Sequence, residues 1–185
     1  MNVTIAGLAL AAALGLSACK PADEAAPPAP AVAAAPTPAL HGEYWVNTPT
    51  SVDTGRFIFM GLVVQERRAF GAWEGGDRSG PPPVALKFLD EQSPAMVGYE
   101  DGPYPDEAII TVAPGRYSVA DNTVSFAGTS PVTGDILFDG IVDPAALDRS
   151  QAIDDGGMTV LTGSLTLGGT AYPDVTLGWN NFNPN

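Results

Sequence analysis

The sequence is almost empty of the side chains on which metal and nucleophilic chemistry is most often built: one cysteine and one histidine in 185 residues. The cysteine, Cys19, lies at the end of an apolar stretch, so everything after it lacks a thiol. That excludes disulfides, cysteine metal sites and a cysteine nucleophile from any folded domain. A single histidine excludes zinc sites assembled from His and Cys. Basic residues are scarce too. From His41 onward there are 19 Asp/Glu against 7 Lys/Arg, a net charge of −12. A field of that sign repels phosphate backbones, which removes nucleic acid from the partners to consider. It keeps an exported domain soluble. Long apolar runs are missing as well: the longest, residues 3–16, is shorter than the roughly 20 residues a spanning helix needs. Long Leu/Glu/Lys-rich windows are also absent, which argues against a helical protein.

What is present begins at that apolar run. It has the length of a signal-peptide core and is followed by Leu16-Ser17-Ala18-Cys19. This tetrapeptide resembles the lipobox of bacterial lipoproteins. The resemblance implies a signal peptide over residues 1–18 and diacylglycerol on the Cys19 sulfur. Cleavage before Cys19 and acylation of its new amine would follow. Several acyl chains anchor a protein almost permanently, whereas one does so only marginally. Lys20, standing where an Asp would signal retention, implies the outer membrane rather than the inner one. The first four residues, Met1-Asn2-Val3-Thr4, depart from the usual pattern by carrying no Lys or Arg.

Residues 19–40 form a lipidated tether in this reading. Between Lys20 and Leu40 stand six Pro and nine Ala. Proline removes amide donors and blocks helix continuation, so a disordered linker biased to extended polyproline II is expected, very roughly 60 Å long. The remaining 41–185 read as one domain, long enough for a single core.

That domain reads as all-β. Strand patterns run over Tyr44–Asn47, Arg56–Gln65, Ala69–Trp73, Val84–Leu89, Ala108–Ala113, Arg116–Ala120, Thr123–Ala127, Asp135–Val142, Met158–Leu167 and Ala171–Trp179. Breakers such as Pro114-Gly115, Asp121-Asn122 and Gly168-Gly169 separate them. Ala171–Trp179 pairs back on Met158–Leu167 through Gly168-Gly169, whose positive φ suits a tight turn. Phe57-Ile58-Phe59-Met60-Gly61-Leu62-Val63-Val64 is apolar at almost every position, as in a strand covered on both faces or one entering a closed barrel. One short helix is expected, with Asp143 as N-cap and Pro144 at the first helical position. The expected fold is a small antiparallel β-barrel or β-sandwich of about 8–10 strands.

The chemistry-bearing residues select no catalytic site. His41 sits where tether meets domain, a poor place for the oriented base of a Ser–His–Asp triad. Asp135, Asp139 and Asp143 recur every four residues, about 13 Å apart along a strand, too far for joint acid–base work. Their alternation with Ile136, Phe138, Gly140 and Val142 makes them the solvated side. Glu100-Asp101, Asp106-Glu107 and Asp154-Asp155-Gly156-Gly157 do not follow the spacing of a calcium loop, so neither a metal nor another cofactor is assigned. Two loops are long enough for recognition. Gly71–Pro83 carries Trp73, and Gly98–Glu107 carries Tyr99 and Tyr104 beside four carboxylates. Such rings either seat a partner or close the ends of a barrel.

Gly163-Ser164-Leu165-Thr166-Leu167-Gly168-Gly169 and Pro173-Asp174-Val175-Thr176-Leu177 resemble the closing hairpin of YceI-like proteins, with one extra residue around Pro173. That family comprises bacterial periplasmic, lipocalin-like barrels, some of which hold an isoprenoid chain. The resemblance implies a barrel and transfers no ligand-contacting residue. Three functional expectations stand together. The first is a non-enzymatic envelope module, anchored through Cys19, that binds a protein or cell-wall partner. The second is a carrier of an apolar lipid or isoprenoid ligand. The third is a carboxylate-dependent hydrolase.

Overall fold

A computed structural model describes residues 40–47, 52–100, 102–153 and 155–180. Cys19, the signal peptide and the Pro/Ala tether lie outside the described residues. Nine strands form: β1 Gly42–Val46, β2 Phe57–Val64, β3 Val84–Asp90, β4 Ile109–Val112, β5 Arg116–Ala120, β6 Thr123–Ser130, β7 Gly134–Val142, β8 Thr159–Leu167 and β9 Thr170–Asn180. Two helices join them, α1 Arg67–Glu74 and α2 Pro144–Ile153. The chain is therefore all-β, a single antiparallel sheet in the order β4-β3-β2-β1-β9-β8-β7-β6-β5 that curls into a half-barrel.

The order is that of a meander whose first and last strands pair, which leaves β4 and β5 as the edges. Following the antiparallel ladders from β4 round to β5 shows that these two edges run in the same direction. They are consecutive in sequence and joined by Ala113, Pro114 and Gly115 alone, so the pair acts as one strand bent at Pro114. Its first half pairs with β3 and its second with β6. The Gly115 amide bonds the Ala127 carbonyl at 2.9 Å. Proline cannot donate to a ladder, and a corner is where it is tolerated.

Alternation buries one face. On β7, Ile136, Phe138, Gly140 and Val142 are inside, and Asp135, Leu137, Asp139 and Ile141 outside. Ring packing fills the middle: Phe59 lies 5.4 Å from Phe88 and 6.3 Å from Phe138 between centroids. The Tyr44 hydroxyl donates to the Leu40 carbonyl at 2.8 Å, so even this buried phenol is satisfied. The Asp121–Asn122 hairpin takes positive φ at both residues, 48° and 65°, the twist a two-residue connection needs.

Three strands carry a bulge: Val160 is the extra residue in β8, between Thr159 and Leu161, and the other two lie in β2 and β9. In β2, Phe59 faces Phe88 and Gly61 faces Lys87, so Met60 is the extra residue. A bulge exchanges the faces of everything beyond it. Phe59 therefore points into the main core before it, and Leu62 and Val64 after it. Met60 turns outward and packs with Leu89 and Ala108 in a second, smaller cluster. This is why β2 is apolar almost throughout: both of its faces are covered. In β9, Tyr172 faces Leu165 and Val175 faces Gly163. The surplus residue falls at Pro173-Asp174, where Asp174 sits at a φ of 59°.

The expectation of one helix is corrected to two. α2 forms as expected, with an Asp143 carboxylate oxygen accepting from the Ala146 amide at 3.0 Å. Ala69–Trp73, read above as a strand, is instead part of α1. α1 drops Phe70 into the main core, against Tyr117 at 5.6 Å in an edge-on contact. By the ladder directions, α1, α2, Leu40 and the Asp121–Asn122 turn share one end of the half-barrel. The β1–β2, β3–β4, β6–β7 and β8–β9 connections share the other.

Candidate functional site

The connection between β3 and β4, residues 91–108, is built on a staple. Asp90 ends β3 and receives both Arg56 Nε at 2.9 Å and Arg56 Nη2 at 2.8 Å, with the Gln92 amide at 3.1 Å. The Arg56 hydrogen bonds hold the Asp90 carboxyl below the usual carboxylate range. The Glu91 amide adds a bond to the Arg56 carbonyl at 3.0 Å. The start of the loop is thereby fixed to the chain leading into β2.

The loop then folds over the outer side of β2. Single 3-10 turns form at Pro94–Met96 and Asp106–Ala108. Ser93 joins them: its hydroxyl accepts from the Ala95 amide at 3.3 Å and donates to the Glu107 carbonyl at 3.4 Å. Ala108 is fully buried against Met60 and Leu89, and Ala95 and Met96 pack beside them. These contacts make a seated platform that carries residues 97–100 and 102–105.

On that platform Val97 is 86% exposed, the most exposed large apolar side chain among the described residues. Tyr99 and Tyr104 stack with centroids 5.3 Å apart and planes inclined by 31°. Tyr104 is exposed, and the Tyr99 hydroxyl donates to the Gly102 carbonyl. Glu91, Glu100, Asp106 and Glu107 belong to the same loop and are all exposed. No Lys or Arg occurs between Lys87 and Arg116.

No family model, curated protein or solved structure matches the chain.

The platform brings Tyr99 and Tyr104 together but leaves Trp73 elsewhere. Trp73 lies on α1 at the opposite end, half-buried, with the Arg78 guanidinium 3.8 Å above its ring. The Tyr117 hydroxyl donates to Glu74 Oε1 at 3.2 Å beneath the same helix. Burial first, and the Glu74 carboxylate second, push the Tyr117 ionisation up to about 12. His41 borders a groove of about 470 Å³ with Glu66, Arg68, Asp77 and Ser79. Its carbonyl accepts from the Trp179 indole at 3.2 Å.

Among the described residues, no three His, Cys, Asp or Glu are gathered as metal ligands. Nor is any helix among them long and apolar enough to cross a membrane. What the loop offers chemically is contact: aromatic faces, an exposed aliphatic side chain and fixed negative charge. Val97 and the Arg56–Asp90 staple escaped sequence reasoning. The cation-free stretch from 88 to 115 was the signal that could have pointed to them.

Proposed function

We propose that this chain is a lipoprotein of the cell envelope, anchored through lipid on Cys19 and acting as a non-enzymatic interaction module. The observation that carries the reading is polarity. The described chain starts at Leu40, at the end of the half-barrel that bears α1 and α2, and the β3–β4 loop leaves from the other end. A tether over residues 19–40 would hold the helical end toward the membrane and turn the aromatic platform away from it, toward a partner in the envelope. The outer membrane follows from Lys20.

Metabolic labelling with radioactive palmitate and membrane fractionation test the anchor. The wild-type chain incorporates label and sediments with membranes, and Cys19→Ser does neither. A Cys19→Ser chain that still sediments with membranes, or an unmodified sulfur in the intact mass of the mature protein, would sink the reading.

The curled sheet also suits a carrier of an apolar ligand, although Phe59, Phe88 and Phe138 occupy its middle. Native mass spectrometry of the mature protein extracted from membranes separates the two. A bound lipid or polyprenyl mass favours the carrier, and a ligand-free mass favours the interaction module.

A further inference from the structure

We infer that the platform of Val97, Tyr99 and Tyr104 docks a cationic, Lys/Arg-bearing segment of a partner protein. This deepens the interaction reading above but does not depend on the lipid anchor.

The first support is how this chain treats its own cations. Among the described residues, Arg78 lies over Trp73 at 3.8 Å, Arg56 over Phe57 at 4.8 Å and Lys87 over Trp45 at 5.6 Å. The ring face attracts a cation through its quadrupole, and this fold uses that attraction repeatedly. The Tyr99–Tyr104 pair receives no such cation from the described chain. The buried ring pairs of the core lack one too, but this pair is open to solvent through Tyr104, on the loop with the most exposed aliphatic side chain.

The second support is charge. Glu91, Glu100, Asp106 and Glu107 are all exposed on this one loop, with no base between Lys87 and Arg116 in the sequence to offset them. By contrast, Asp90 at the foot of the loop is neutralised by Arg56, and Glu43 on β1 by Lys87 at 2.7 Å. Fixed charge of one sign around an apolar centre steers an oppositely charged partner and fixes its register. The third support is rigidity. Ser93, Ala108 and Met60 seat both ends of the loop, which lowers the ordering cost of binding. A bare metal ion would use the carboxylates alone. A partner segment would use rings, valine and carboxylates together.

The test uses the full-length Cys19→Ser chain, titrated by calorimetry with a twelve-residue peptide alternating Arg with Ala. A Glu-for-Arg peptide and spermine are the comparison probes. The Arg peptide binds, more weakly as salt is raised from 50 to 300 mM, and the Glu peptide does not. Glu100→Gln/Asp106→Asn/Glu107→Gln weakens binding by about tenfold or more. Asp135→Asn/Asp139→Asn/Asp148→Asn, which removes the same charge elsewhere, changes it by less than about twofold. Val97→Ser/Tyr99→Ser/Tyr104→Ser weakens binding at constant charge. Tyr99→Phe/Tyr104→Phe keeps it, because the ring faces remain.

Equal losses in the two charge variants would show a diffuse field and overturn the inference. So would undiminished binding by the serine variant, spermine binding as tightly as the peptide, or no binding at all. Each of these outcomes leaves the Cys19 labelling result untouched.

Discussion

Gly178, in β9, is the position where one added methyl group would meet the least room. A Cβ there would stand 1.9 Å from the Gly156 carbonyl oxygen and 2.8 Å from Asn47 Oδ1. The first of these atoms is backbone, so relief requires moving the segment after α2. Gly178→Ala should cost about 2 kcal/mol or more, read as a lower urea midpoint with an unchanged slope. Ionisation acts at two other residues, with opposite sign. Asp90 ionises more readily folded than unfolded because Arg56 donates to it. The stabilisation from that pair is therefore full above about pH 4 and is lost as pH falls through the lowered value. The stability gap between wild type and Asp90→Asn should be present at pH 7 and shrink toward pH 2.5, measured by urea titration at each pH. Tyr117 is shifted up, to about 12, by burial and by Glu74. Its contribution is full below the ordinary tyrosine value, about 10, and is lost as pH rises through 12. In a spectrophotometric titration, Tyr117→Phe should remove a late-ionising component and leave the earlier ones.

At the level of the element, α1 carries the clearest energetic consequence. Phe70 is 1% exposed and closes the helical end of the core against Tyr117. Phe70→Ala should cost about 3–5 kcal/mol, the range for emptying a ring-sized core site, with Trp73 fluorescence reporting the loosened helix. That helix was hard to read from sequence for physical reasons. It has eight residues, no capping side chain at Glu66 and a glycine at its centre; glycine there lowers helix propensity by about 1 kcal/mol. The Phe70–Trp73 spacing was its one periodic sign. α2 was legible because Asp143-Pro144 states its start in local chemistry. Nine of the ten strand patterns correspond to strands, since alternation on β7 and β8 and the Asp121–Asn122 and Gly168–Gly169 turns are local signals. The β2 bulge was half legible. The uninterrupted apolar run announced two covered faces, but not that Met60 changes the register or that the β3–β4 loop supplies the outer cover. Tyr99 and Tyr104 were visible as a loop pair, whereas their seating depends on Arg56 and Met60, far away in sequence.

For the whole molecule, the proposed anchor would place a domain of net charge −12 beside a membrane whose lipid surface is itself commonly anionic. Like charges repel across roughly 10 Å at physiological salt, so a domain held against its own anchor would be under constant repulsion. A stiff spacer of about 60 Å, as the proposed tether would be, would place it well beyond that range. The proposed arrangement therefore requires that residues 20–39 act as a spacer and contribute nothing to domain stability. Their composition permits a direct test. Between Lys20 and Leu40 there are nine Ala and one Val, while the sole basic residue, Lys20, precedes a proline. Elastase, which cuts after small aliphatic residues, should therefore release the domain from membranes bearing the anchored chain of this proposal, whereas trypsin should leave this stretch intact. The released fragment should begin just before Leu40, because the hydrogen bonds to the Leu40 and His41 carbonyls tie the chain to the sheet from there onward. It should melt at the same temperature as the full-length protein. A fragment that melts several degrees lower would mean that the Pro/Ala segment packs on the domain, and the platform's separation from the membrane would no longer follow.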